Sequence, residues 1–283
     1  MSGPRARVAV VSLCSTPRVG HLRNQLAALA ANARAAGEAA SRIVVWIGDD
    51  DAPALDADRT IGVRPGRHGL RLAAARNAGA RAAADAGATL LVFLDADCVP
   101  GPDLLGRYRH AAAAQPGAVL SGPVTYLAPG VDVASAQALQ RATAPHRARP
   151  NPPDGEIVLV SDAQYEVFWS LSFALTTETW RRSGGFCEDY EGYGGEDTDF
   201  GFSLRDRGIP LLWVGGAHAY HQHHATQSPP RQHLDDILRN AALFHERWGQ
   251  WPMAGWLDAF AAEGLIAWDG ASWRRTGRPA TRG

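Results

Sequence analysis

The stretch Thr89-Leu90-Leu91-Val92-Phe93-Leu94-Asp95-Ala96-Asp97-Cys98 decides the fold. It is apolar at every position from Leu90 to Leu94, without polar alternation. Such a run reads as a strand buried on both faces, the pattern of a parallel sheet between helical layers. Two carboxylates follow at once. Outward from it, residues 7–13 (RVAVVSL) and 42–47 (RIVVWI) repeat the buried-strand pattern, and a short strand is expected near 60–63. Between them, 20–36, 69–86 and 102–114 carry helical spacing, the first two stopped by Gly37 and Gly87. Residues 118–124 are again strand-like. Strand and helix in alternation predict an α/β fold. In such sheets ligands bind beyond the carboxyl ends of the strands, where the acids Asp49, Asp50, Asp51, Asp95 and Asp97 all fall.

The second half reads differently. Residues 145–155 (PHRARPNPPDG) form a proline-rich loop, 165–175 (YEVFWSLSFAL) an aromatic β-like run, and 177–182 a short helix with Thr177 as N-cap. Residues 184–195 are a glycine- and acid-rich loop and 196–207 a helix. Residues 211–214 and 217–220 look like strand, and 234–248 an amphipathic helix before a tryptophan-rich segment.

Composition limits the chemistry. The chain has 283 residues, a formal net charge of -1 and 28 basic residues, all of them arginine. The absence of lysine excludes Schiff-base, P-loop and lysine-base mechanisms. Near-neutrality gives no global attraction to nucleic acid or to an anionic membrane. No apolar run reaches the roughly 18–20 residues of a membrane span, and the first residues lack a signal-peptide core. Cys14, Cys98 and Cys187 form no CxxC pair, which suits a reducing compartment. A cytoplasmic protein is expected.

Four constellations carry chemistry. Asp95 and Asp97, two apart, leave a buried strand on one side, where a hard divalent cation relieves their repulsion and bridges to a diphosphate. From Glu188 to Asp199, six acids stand in twelve residues among glycines and aromatics. If a helix starts near Glu196, its free N–H groups stabilise carboxylates there, one of which can act as a general base. His218, His221, His223 and His224 form a late histidine cluster; without a nearby cysteine it is a weak zinc signature. Arg76, in Ala75-Arg76-Asn77-Ala78-Gly79, suits a phosphate or base contact.

The order of these blocks resembles inverting glycosyltransferases of family two with the GT-A fold. Gly184-Gly185-Phe186 through Tyr193-Gly194-Gly195-Glu196-Asp197 is similar to the G-G-F…G-W/Y-G-G-E-D block of galactosyltransferases and chondroitin-polymerase domains. Ala219-Tyr220-His221-Gln222 is similar to the polymerases' late histidine segment. The resemblance covers about 8–224. It implies a Rossmann-like GT-A domain over 1–228, with a mostly parallel central sheet flanked by helices. Its nucleotide-sugar half would be 1–125 and its acceptor half 126–228. A helical C-terminal extension over 229–273 and a disordered tail over 274–283 would follow.

The resemblance also implies roles. Asp49 or Asp50 would face the base, Arg76 the nucleotide, and Asp95, Ala96 and Asp97 the ribose and diphosphate. Asp97 and His221 would ligate Mn²⁺ or Mg²⁺, with His223 as the rival histidine. Asp197 would be the base and Glu196 would hold sugar hydroxyls, beside Trp169, Tyr193, Gly194 and Gly195 in the acceptor site. Tyr193 stands where tryptophan is common, and residues 47–51 lack the usual D-D-x-S run. The implied reaction moves a sugar from a nucleotide diphosphate sugar, a UDP-sugar, to a hydroxyl acceptor. It implies no nucleic-acid partner and leaves the oligomeric state open. The alternatives are a sugar-phosphate nucleotidyltransferase, for which Ser15-Thr16-Pro17-Arg18-Val19-Gly20 is a poor triphosphate loop, and a nucleotide- or carbohydrate-binding module without catalysis.

Overall fold

The computed structural model describes residues 6–37 and 39–277. Its first half runs β1 (Val8–Cys14), α1 (Val19–Ala36), β2 (Ser41–Ile47), β3 (Arg59–Val63), α2 (Leu72–Asp85), β4 (Leu90–Leu94), β5 (Cys98–Pro100), α3 (Leu104–Ala114), β6 (Val119–Ser121) and β7 (Val124–Tyr126). There follow α4 (Ala136–Arg141), β8 (Ile157–Leu159), β9 (Ser172–Thr176), α5 (Thr177–Ser183), α6 (Glu196–Asp206), β10 (Leu211–Val214) and β11 (Ala219–His221). The last elements are α7 (Leu234–Trp248), α8 (Ala254–Ala262), β12 (Ile266–Trp268) and β13 (Trp273–Arg275).

Eight strands form one sheet in the order β3-β2-β1-β4-β9-β6-β10-β8. β9 pairs antiparallel with both β4 and β6, and β8 antiparallel with β10; the other neighbours are parallel. The result is the mixed α/β architecture with a mostly parallel sheet that the apolar runs predict. Every residue of β1 and β4 is buried. Alternation sorts them: Val8, Val10 and Cys14 join one core with Leu22 and Leu26 of α1 and Tyr108 of α3. Ala9, Val11 and Leu13 join a second core with the alanines of α2 and the aromatics Phe173, Phe186 and Phe200.

A second sheet of order β5-β11-β7 positions the site. β5 begins one residue after Asp97. The antiparallel β11 sets His221 opposite Cys98, and on its other side His221 pairs with Tyr126 of β7.

Several local expectations are corrected. The strand read over 118–124 is two, β6 and β7, in different sheets, because the chain turns at Gly122-Pro123. The aromatic run 165–175 starts as a 3-10 turn, Asp162–Val167, closed by Ser161 and Gln164 in a capping box, and becomes strand only at Ser172. The N-cap of α5 is Thr176, whose hydroxyl accepts from the Thr179 amide; Thr177 is the first helical residue. Beyond α7 and α8 the chain ends in a hairpin, with Trp268 opposite Trp273, so Arg274 and Arg275 are strand rather than frayed tail. The remainder of that tail, 278–283, lies outside the described residues. Among the described residues no helix is long and apolar enough to cross a membrane.

Gly79 lets α2 sit down on the sheet. A Cβ there would stand 2.3 Å from Val11 Cγ1 and 3.0 Å from Val45 Cγ2. Gly79→Ala would gain roughly 1 kcal/mol of helix propensity. Overpacking against two buried β-branched side chains costs about 1–3 kcal/mol. A net loss of stability is expected in urea titration; a stabilised variant would show that α2 can lift off without cost.

Candidate active site

The Asp95–Cys98 turn is held from three sides. The Cys98 amide donates to the Asp95 carbonyl at 2.8 Å, and the Asp95 amide to the Leu171 carbonyl at 3.1 Å. The buried Gln25 of α1 donates from Nε2 to the carbonyls of Asp95 (2.6 Å) and Cys98 (2.8 Å), while its Oε1 accepts from Ser12 at 2.5 Å. The Asp97 carbonyl accepts from the Gln222 amide at 2.7 Å. A rigid turn therefore presents both carboxylates at the carboxyl edge of the sheet.

Asp97 meets three cationic or basic groups. Arg18 Nε lies 3.2 Å from Asp97 Oδ2, His224 Nε2 3.3 Å and His221 Nε2 3.6 Å. Burial works against ionisation of Asp97, but the His224 hydrogen bond and the charges of His221 and Arg18 hold its carboxyl below the usual range. The bond to Asp97 raises His224, whereas burial lowers His221. One ligand atom each of Asp97, His221 and His224 lies within 4.8 Å of the others. One carboxylate and two imidazoles suit a borderline divalent ion, so the donor set fits the metal that the sequence implies. The cluster contains the predicted His221 and adds His224, whereas His223, the rival to His221, is exposed and outside it. His223 alternates with His221 only while the strand continues, and β11 ends at His221.

Arg76 is the centre of the second group. It is 3% exposed, and its Nη1 donates to Glu196 Oε1 at 3.1 Å and its Nη2 to Asp95 Oδ1 at 3.2 Å. Its guanidinium packs 5.1 Å from the centroid of Phe186. Burial disfavours its charge, yet the carboxylates of Asp95, Glu196 and Asp197 outweigh that and raise its pKa. Burial pushes the Asp95 carboxyl up to about 6 against the pull of Arg76. Asp197 is pushed up to about 7, by burial first and by the neighbouring Glu196 charge second. A carboxylate so poised is matched to proton abstraction near neutral pH.

The acidic loop now divides by function. Glu188 accepts from Asn77 Nδ2 at 2.9 Å, and Glu191 from the His68 amide at 2.8 Å. The buried Asp199 accepts from Arg247 Nε and Trp248 Nε1, both at 2.7 Å, and from the Tyr190 hydroxyl at 3.2 Å. These three acids hold the loop and lash α7 to α6. Glu196 and Asp197, in the first turn of α6, face the cavity. The turn into α6 needs Gly194 and Gly195 at φ 91° and 94°, where an L side chain is strained. Asn77 also clasps the loop, exchanging hydrogen bonds with the backbone of Phe186 in both directions at 2.9 Å.

A cavity of about 580 Å³ is lined by Arg76, Asp95, Glu196, Asp197 and the predicted Trp169, Tyr193, Gly194 and Gly195. A smaller one of about 180 Å³ shares Leu72, Arg76 and Asp95 with it and includes Ala96, Asp97, Arg18 and Cys14. The predicted residues line these two cavities, except that His221 meets them through Asp97 and that Asp49, Asp50 and His223, all exposed, line neither. Sequence reasoning missed Arg18, Gln25, Asn77, Tyr126, His146, His224, Met253 and Trp256. Tyr126 lies 4.6 Å from His221 between ring centroids, and His146 lies 5.0 Å from Trp169. His224 lies inside the histidine cluster, Asn77 beside Arg76 in the 75–79 block, Arg18 in the 15–20 stretch and Trp256 in the tryptophan-rich segment, but none of the four is assigned a role from sequence.

Residues 54–157 match the glycosyl transferase family 2 model, and residues 160–225 match a model described as the N-terminal domain of galactosyltransferase. Together the two matches span most of the chain from β3 to the late histidines, and β1, α1 and β2 precede them. Asp97 comes from the first and His221 and His224 from the second, as do Arg76 and Glu196 respectively. Over 44 residues the chain is 46% identical to validoxylamine A glucosyltransferase of Streptomyces hygroscopicus subsp. jinggangensis, covering 16% of this chain and 10% of that protein. Over 186 residues it is 27% identical to chondroitin synthase of Escherichia coli, covering 56% and 26%. The chain thus spans between about a tenth and a quarter of these relatives. Among solved structures, Drosophila β1,4-galactosyltransferase 7 with xylobiose superposes at a TM-score of 0.48 with 16% identity, covering 77% and 71% of the two chains. GalNAc-T7 with UDP, GalNAc and Mn²⁺ gives 0.47 at 13% identity, covering 79% and 45%.

Two outcomes test this geometry. In calorimetric titration with Mn²⁺, His224→Ala is expected to lose at least about tenfold in affinity, and His223→Ala to bind as wild type. Asp197 holds its proton more tightly folded (about 7) than at its ordinary value of 3.8, so its contribution to stability falls as pH rises between those values. Asp197→Asn is therefore expected to raise the melting temperature at pH 8 and leave it unchanged near pH 4.

Proposed function

We propose that this protein is an inverting glycosyltransferase that moves a sugar from a UDP-sugar to an acceptor hydroxyl. The observation that carries this reading is the Arg76 bridge. It brings Asp95, two residues from the Asp97–His221–His224 cluster, and Glu196, next to Asp197, onto one guanidinium.

The donor's nucleotide lies along the smaller cavity, which reaches Ile47 at the carboxyl end of β2. Asp97, His221 and His224 would hold Mn²⁺ or Mg²⁺, which when bound supplies positive charge for a leaving diphosphate. In a chain without lysine, Arg18 and Arg76 are the cations at hand for the phosphates. The acceptor ring lies in the larger cavity against Tyr193 and Trp169. Glu196 accepts hydrogen bonds from its hydroxyls. Asp197 takes the proton of the attacking hydroxyl, on the side of the sugar opposite the diphosphate, so the anomeric centre inverts. The free thiols Cys14, Cys98 and Cys187 support placement in the cytoplasm.

A thermal-shift screen of nucleotide sugars with and without Mn²⁺ identifies the donor, because a bound ligand raises the melting temperature by mass action. With that donor, Asp197→Asn is expected to abolish transfer and retain UDP and Mn²⁺ binding. The rate should rise with pH through about 7 as Asp197 ionises. Chelation should stop turnover and Mn²⁺ restore it; full turnover in chelator removes the metal from the reaction.

A further inference from the structure

Beside the catalytic cavity runs a groove of about 370 Å³ between α6 and the tryptophan-rich segment, with walls that include Val167, Trp169, Phe202, Phe244, Trp251 and Trp256. Trp169, Thr198, Met253 and Trp256 line both spaces. Thr198 follows Asp197 directly, so the groove starts one residue from the candidate base. Met253 stands at the junction, in the left-handed region at φ 54°, with Sδ 2.9 Å from where a Gly194 Cβ would lie. A bulky residue held there is unfavourable and tends to mark a functional site.

The aromatic surface continues outward. Tyr193 and Trp256 lie 5.8 Å apart between ring centroids, Trp251 and Trp268 5.6 Å, and Trp268 and Trp273 5.5 Å. Trp256 and Trp251 face the same groove. His245 of α7 stacks on Trp251 at 4.5 Å and 20° and fixes the indole. Trp268 is 48% exposed. Glu166 is, among the described residues, the one charged side chain lining the groove, and Thr198 and Gln250 add hydrogen-bonding groups.

We propose that this groove is a second acceptor subsite, which takes the next ring of a neutral oligosaccharide whose reacting ring lies over Asp197. This rests on the glycosyltransfer reading above. The four residues common to both spaces set the groove beside the catalytic cavity, within reach of a second ring of the molecule that carries the attacking hydroxyl. Indole faces match the apolar faces of pyranoses, while Glu166 and Gln250 match ring hydroxyls. A uronate or sulfate would meet Glu166 with no cation among the described residues of the lining to offset the repulsion.

The test is isothermal titration of the full chain, loaded with UDP and Mn²⁺, with cellobiose, lactose and xylobiose beside glucose, galactose and xylose. A chondroitin disaccharide and octyl β-glucoside are further arms. At least one neutral disaccharide is expected to bind about tenfold more tightly than its monosaccharides, and Trp251→Ala to erase that gain while Trp251→Phe retains part of it. Equal or absent binding of disaccharides and monosaccharides overturns the proposal, as does a gain that survives Trp251→Ala. Tighter binding of the charged disaccharide or of the octyl glycoside overturns the neutral-glycan assignment. Failure of UDP and Mn²⁺ to bind in the loading step instead strikes the glycosyltransfer reading.

Discussion

The structure turns on a guanidinium taken out of water between two carboxylates. Arg76 is almost completely buried, and a buried cation is tolerated only when it is paired and hydrogen-bonded. Asp95 and Glu196 supply both conditions from opposite halves of the sequence. Removing one member of such a group leaves uncompensated charge, typically a loss of about 3–5 kcal/mol. The same bridge sets the distance between the sheet-edge carboxylates and the first turn of α6, so the chemistry and the packing of the two segments rest on one contact.

Around it, two different restraints give rigidity. The Asp95–Cys98 turn is fixed by backbone hydrogen bonds and by Gln25, none of which uses a carboxylate. The acids are left free to meet cations. The glycine-rich loop is fixed instead by acids that have been spent on structure, Glu188, Glu191 and Asp199. An acidic cluster is thus a scaffold and a reaction centre at once, and only the local partners tell the members apart.

The sheet was legible because burial on both faces writes itself as unbroken apolar runs, as in Leu90–Leu94. The acids at the strand ends, Arg76, and the Glu196–Asp197 pair were legible because their spacing constrains the backbone locally. What stayed hidden depends on long-range contacts. The third member of the Asp97 cluster is His224 because β11 stops at His221 and the chain then turns back, which no period-two pattern shows. Gln25 and Asn77 look like ordinary helix polar residues until the loops they hold are in view. The antiparallel β9 was masked by an aromatic run whose first part is a 3-10 turn. The terminal hairpin was hidden by the arginines of β13, which face water.

The lashing of α7 to α6 through Asp199, Arg247 and Trp248 bears on biosynthesis. The sheet and the Asp97–His221–His224 cluster are complete in sequence by residue 224, yet the far wall of the cleft comes only with residues 247–256. A chain emerging from the ribosome can therefore assemble the sheet and the Asp97 cluster first, while Asp197 still lacks its enclosing wall.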